Sequence, residues 1–230
     1  ARRRDRRHRP WHGDRQVIDF SLSDEQRAIR DTVRAFVTRE VVPLEAQVLR
    51  NERDGVPALE PGVLESLQDK ARRAGFWGIT TPEEFGGIAL GPVMNAVLTM
   101  ELGRTFVPFR FGGSADNILF DASPDQQDEY LLPTISGERR SCFAITEPGA
   151  GSDARNIRTR ARRDGDDWVI TGEKTFITGG TEADFCILFA VTDPELGADG
   201  GVTCFLVDRE MGWTSSPIPT MGEWGPASLS

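Results

Sequence analysis

The chain has 230 residues, with 27 basic and 36 acidic groups but only two His, three Cys and one Tyr. Both histidines, His8 and His12, lie near the N-terminus, so the body cannot hold a Ser-His-Asp or Cys-His constellation or a His-ligated metal site. Cys142, Cys186 and Cys204 form no CxxC pair, which excludes a zinc ribbon or disulfide framework and fits a reducing compartment.

Residues 1–15 carry seven Arg and two Asp, so a basic leader (1–17) precedes a strongly acidic body. That acidity argues against nucleic-acid binding. The leader lacks the apolar segment of a secretory signal. Asp5 and Asp14, and the absence of serine, speak against a mitochondrial transit peptide. It reads as a solvated tail. The first residue is Ala rather than Met, so the start is read as processed or incomplete. Arg outnumbers Lys 25 to 2, which resembles a GC-rich bacterial coding sequence and points to a bacterial cytoplasm.

Helical signals dominate up to about residue 140. Ser23 and Gln26 form a capping box, followed by the apolar stripe Ile29, Val33, Phe36, Val37 and Val41, with Pro43 as the stop. A second helix is expected over 62–74, with Val63, Leu64, Leu67 and Ala71 inward and Gly75 at its end. Residues 81–90 read as a loop, 92–102 as a third helix, and 112–121 as a possible fourth. Ser123-Pro124 opens another helix, which Gly137 closes.

From Ser141 the pattern turns to strands: 141–146, 155–163, 168–171, 183–192 and 202–207. Ile157, Thr159 and Ala161 alternate with Arg158, Arg160 and Arg162, and Asp164-Gly165-Asp166 marks a hairpin. The longest apolar run, Phe185 to Val191, is far too short to span a bilayer. The expected architecture is α+β: an all-helical domain (18–139), then an antiparallel β-barrel-like domain (140–230).

Two segments carry chemistry. Gly149-Ala150-Gly151-Ser152-Asp153-Ala154 fits G-x-G-x-x-A, yet period-two alternation follows where a dinucleotide fold needs a helix, so the Rossmann reading is rejected. The loop can still be either a tight turn or a cradle whose bare backbone approaches an anion or ring closely. In Gly172–Gly180, Phe176 and Ile177 read as core, Thr178 as a possible ligand donor, and Lys174 as a surface or salt-bridged residue.

Together FAITEPGAGSD (143–153) and GDDWVITGEKTFITGG (165–180) resemble the acyl-CoA dehydrogenase family. The resemblance extends to DFSLSDEQRAIRDTVRAFV (19–37), GFWGITTPEEFGG (75–87) and MELGR (100–104). It implies a helical domain, a β domain and a C-terminal four-helix domain, the last absent from these 230 residues. It implies FAD as cofactor and desaturation of an acyl-CoA thioester between Cα and Cβ. A carboxylate base takes the α proton and hydride leaves for the flavin. The resemblance further implies an electron-transfer flavoprotein as acceptor and a homotetramer or heteromeric assembly. Carried over by position, Phe143, Ile145, Thr146, Gly151, Ser152, Phe176, Ile177 and Thr178 line the flavin, and Ser152 also touches the substrate. Phe143 and Phe176 stand where many members have Tyr and Trp; both keep an aromatic surface. Asn156 replaces a small residue. The catalytic glutamate is expected beyond Ser230, while Glu147 and Glu101 are read as structural. A truncated chain needing a partner, and an acyl-CoA oxidase or flavin monooxygenase of the same fold, are the alternative readings.

Overall fold

A computed structural model describes residues 21–220 and 225–230; the basic leader lies outside the described residues. Helix α1 (Asp24–Phe36) starts at the expected capping box, with Gln26 N–H donating to Ser23 Oγ at 3.2 Å and Ser23 N–H to Gln26 Oε1 at 3.0 Å. Its stripe is buried at Val33, Phe36, Val37 and Val41. Pro43 does not end the helical path. A π-helical segment (Val37–Val41) and a 3-10 turn (Val42–Leu44) lead into α2 (Glu45–Arg53), which lacks an apolar stripe and was not expected. Proline has no N–H and crowds the preceding turn, so the helix widens before it and restarts after it.

Helices α3 (Val63–Arg73) and α4 (Pro92–Leu102) occupy the expected places. The possible helix over 112–121 is a 3-10 turn, Asn117–Asp121. Ser123 caps α5 (Pro124–Gln126), a π-helical segment (Gln127–Leu131) and α6 (Leu132–Ser136), ended by Gly137 at φ +89°. Pro133 again follows a π segment by two residues. Trp77 locks α3 to α6: its Nε1–H donates to Ile135 O at 3.0 Å, Arg72 stacks 3.6 Å from the ring centroid, and Gly112 and Gly113 lie so close that a Cβ would overlap the ring.

The β half corrects the expected barrel. It consists of two open sheets, one of them mixed. In the first, β5 (Phe185–Val191) lies antiparallel to β6 (Val202–Asp208) along its whole length. Its other edge pairs parallel with β1 (Ser141–Ala144) and, at Val191, with β2 (Arg160–Asp164). β2 forms an antiparallel hairpin with β3 (Asp167–Thr171), closed by Gly165-Asp166. In the second sheet, β8 (Pro226–Leu229) lies between β4 (Lys174–Thr178) and β7 (Ser215–Pro217), both antiparallel to it. Side-chain alternation fixes which residues face inward but not which strands pair or in which direction, so the parallel pairings were not legible. The strand expected from 155 begins only at Arg160. Ala154–Asn156 is a 3-10 turn, although Ile157, Thr159 and Ala161 are buried as expected.

Strand β5 divides two cores. Phe185 and Ile187 pack against Leu119, Tyr130, Leu131 and Ile135 of the helical half. Cys186 packs with Cys142, Ala144, Ile177, Ala227 and Leu229 between the sheets.

Candidate functional site

After β1 the chain leaves the sheet through Ile145 and Thr146 and closes a tight turn. Glu147 N–H donates to Ala150 O at 2.9 Å, and Ala150 N–H to Glu147 O at 3.1 Å. Pro148 presets the second turn position. Gly149 and Gly151 have no left-handed φ, and nothing lies within 4 Å of where their Cβ atoms would stand. This chain's own packing therefore does not demand glycine at either position. A bare backbone face is left open toward solvent. The run continues into a 3-10 turn and β2, not into an α-helix, so the rejection of the dinucleotide reading holds.

Strand β4 is irregular between Lys174 and Ile177. At that irregularity Phe176 adopts φ +58°, a region disfavoured for a bulky aromatic residue, and the residue is 63% exposed. Such a backbone costs on the order of 1–3 kcal/mol and persists only where its surroundings hold it. Thr175 and Ile177 on either side are buried.

The two segments are fastened by a buried ion pair. Lys174 Nζ donates to Glu147 Oε1 at 2.9 Å and to Ile145 O at 3.1 Å. The remaining carboxylate capacity accepts the backbone N–H groups of Arg158 at 2.6 Å and Thr159 at 2.9 Å. Thr175 N–H donates to Thr146 O at 2.9 Å. Burial works against the Glu147 carboxylate, but Thr159, Lys174 and the Arg158 N–H outweigh it and pull its pKa down to about 2. Burial lowers the pKa of Lys174, and Glu147 opposes that shift. In the helical half, buried Glu101 accepts two hydrogen bonds from Arg34, at 2.9 and 2.6 Å, which lower its pKa against the effect of burial.

Of the residues expected to line a flavin, Phe143 is exposed beside Phe189, their centroids 5.1 Å apart, and Ile145 and Thr146 are half-buried. Gly151, Ser152, Phe176 and Thr178 are exposed. Ile177 is only 2% exposed, its side chain in the core between the sheets, so only its main chain can face a ligand. Thr146 is brought against Thr175. Among the described residues no hydrogen bond joins Gly151 or Ser152 to 176–178, and the hydroxyls of Thr146, Ser152 and Thr178 have no partner within the chain. The surface thus combines unused donors, bare backbone and an exposed aromatic face, which fits a planar, polar-edged cofactor carrying an anionic group. Among the described residues no group of His, Cys, Asp and Glu could hold a metal. Sequence reasoning left Lys174 open between surface and salt bridge. Its clue was its rarity, one of two lysines in the chain, beside an apolar run.

The profile described as the acyl-CoA dehydrogenase N-terminal domain matches residues 23–138, and that of the middle domain matches 142–227. The chain belongs to the acyl-CoA dehydrogenase family. A curated member similar to it is (R)-benzylsuccinyl-CoA dehydrogenase of Thauera aromatica, 34% identical over 206 residues, covering 84% of this chain and 51% of that protein. Among solved structures, a chain from work on the electron transferring flavoprotein of Acidaminococcus fermentans superposes with a TM-score of 0.71 at 28% identity, covering 92% of this chain and 56% of that one. A chain of the ChsE4–ChsE5 complex from Mycobacterium tuberculosis gives 0.73 at 26% identity, covering 92% and 54%. The chain spans about half the length of the curated relatives it matches. No helix among the described residues is long and apolar enough to cross a membrane.

Proposed function

We propose that this chain is the FAD-cradling part of an acyl-CoA dehydrogenase, with a helical domain over 18–139 and a β domain over 140–230, working in a bacterial cytoplasm. The observation that carries the reading is Phe176: an exposed aromatic on a strained backbone, fastened beside the bare-backbone loop 146–152. Strain of this kind points to a surface shaped for something other than the chain's own stability. Phe143, Ile145, Thr146, Phe176, the main chain of Ile177, and Thr178 would hold the flavin ring. Gly151 and Ser152 would hold its phosphate side, with Ser152 also toward the acyl-CoA. When bound, FAD supplies the two-electron acceptor for removal of hydrogen from Cα and Cβ of the thioester. The chain's own part is to bind, to orient and to keep water from the ring.

Neither Glu101 nor Glu147 is proposed as the base. Both are buried and committed to cations, and a carboxylate whose pKa lies near 2 is a weak proton acceptor at neutral pH. The base is assigned to a further helical domain, as the resemblance implies. The named neighbours support an electron-transfer flavoprotein as acceptor and an assembly of like or unlike subunits.

The test is a visible absorption titration with FAD. A bound-flavin spectrum is expected, with affinity reduced about tenfold by Phe176→Ala or Thr178→Ala. Unchanged affinity in both variants would contradict the assignment. Bleaching of the flavin band by an acyl-CoA would extend it to the reaction.

A further inference from the structure

Among the described residues, Glu147 and Lys174 form the one ion pair with both side chains buried, 6% and 2% exposed. Stability alone does not account for it. Desolvating two charges largely cancels their attraction, and well-packed apolar residues of the same volume often serve as well or better. The location is the informative part. Glu147 belongs to the segment on one side of the candidate cradle and Lys174 to the segment on the other.

The ammonium group does more than neutralise the carboxylate. It holds the Ile145 carbonyl at 3.1 Å. No cis peptide is present among the described residues, so the trans Ile145–Thr146 peptide directs the Thr146 N–H away from that ammonium. That N–H has no hydrogen-bond partner among the described residues. One residue beyond Lys174, the Thr175 N–H is fixed on Thr146 O; two residues beyond, Phe176 takes its strained φ. Anchoring on both sides is what a left-handed aromatic residue needs in order to persist.

We propose that Glu147 and Lys174 are positioning residues for the cofactor: the pair sets the direction of the Thr146 N–H and the backbone of Phe176 without touching the ligand. The inference rests on the flavin reading given above. It deepens that reading by assigning the buried pair, rather than the lining residues, the task of holding the cradle's geometry.

The test uses the Glu147→Gln/Lys174→Met double variant, which removes both charges at nearly constant volume. Measurements are made well below the thermal midpoints of both proteins, where each is folded. Without cofactor, amide hydrogen exchange at Thr175 is expected to quicken at least tenfold while exchange in α1 and α3 stays unchanged. On titration with FAD, the dissociation constant is expected to rise at least tenfold, with the flavin absorption maxima shifting toward those of free FAD. A pair serving stability alone would lower the thermal midpoint and leave the folded protein's FAD affinity and spectrum unaltered. That result would overturn the inference, as would unchanged exchange at Thr175. Should the double variant not fold, Glu147→Asp keeps every charge and withdraws the carboxylate by one methylene. It is expected to move both readouts in the same direction by at least threefold, and no movement would overturn the inference. If the unaltered chain binds no FAD, the flavin reading itself falls and this inference with it. If the unaltered chain binds FAD and the variants bind equally well, only the positioning role falls.

Discussion

The two halves of the molecule each bury a glutamate against a cation, and they do so for different ends. In the helical half Arg34 reaches Glu101 from a side chain that is itself 43% exposed, joining α1 to α4 across an ordinary apolar core. In the β half Lys174 and Glu147 are both out of water, and the structure they fasten is a loop with bare backbone and an aromatic residue with left-handed φ. The helical half uses its charges to join elements that already pack well. The β half uses them to hold a conformation that its local sequence disfavours. A buried acidic residue therefore says little by itself; the surface next to it decides what it is for.

Removing one partner should separate the halves most sharply. Lys174→Met leaves a buried carboxylate without its cation, and urea denaturation is expected to show a loss of about 3–5 kcal/mol. Arg34→Met is expected to lose less, because the Arg34 side chain is itself half-exposed and Arg104 stays within 3.7 Å of the Glu101 carboxylate. The acid limb of stability carries the same signature. The Glu147 carboxyl has a pKa of about 2 in the folded chain against an ordinary 4.5. Between those values the unfolded chain binds more protons, so the pair's contribution is complete above the ordinary value and fades as pH falls toward 2. In Glu147→Gln that part of the acid slope should disappear.

A smaller effect is expected in the helical half. Gly112→Ala pushes a methyl group into the Trp77 ring, and a loss of about 2 kcal/mol is expected on thermal or urea unfolding, with no change in FAD affinity. The smallest effect has the opposite sign. Phe176→Gly removes the penalty of φ +58° from a residue that is mostly exposed, so the chain should gain about 1 kcal/mol while its FAD affinity falls. Lower stability in that variant would mean that Phe176 contributes packing rather than a ligand surface.

Much of the helical half was legible because its signals are local. Ser23 and Gln26 stand three residues apart, the Val33–Phe36–Val37–Val41 stripe keeps helical period, and Ser123-Pro124 and Gly137 mark their own ends. Helix α2 was missed because only Val48 in it is buried, leaving no stripe to read. The open mixed sheets were missed because the parallel partners Ser141 and Phe185 are 44 residues apart and alternation carries no direction. At the site, the segments 143–152 and 176–178 were recognisable as motifs. The fastening of one to the other by residues 27 positions apart, and the left-handed φ of Phe176, are products of tertiary structure that no local pattern records.

The most direct measurement is a chemical-shift titration of the isotopically labelled chain with FAD, followed at backbone amides. The account predicts saturable shifts concentrated at residues 143–152 and 175–179, with α1, α2 and α3 unmoved. Shifts centred on the helical half, or none at all at millimolar FAD, would contradict it.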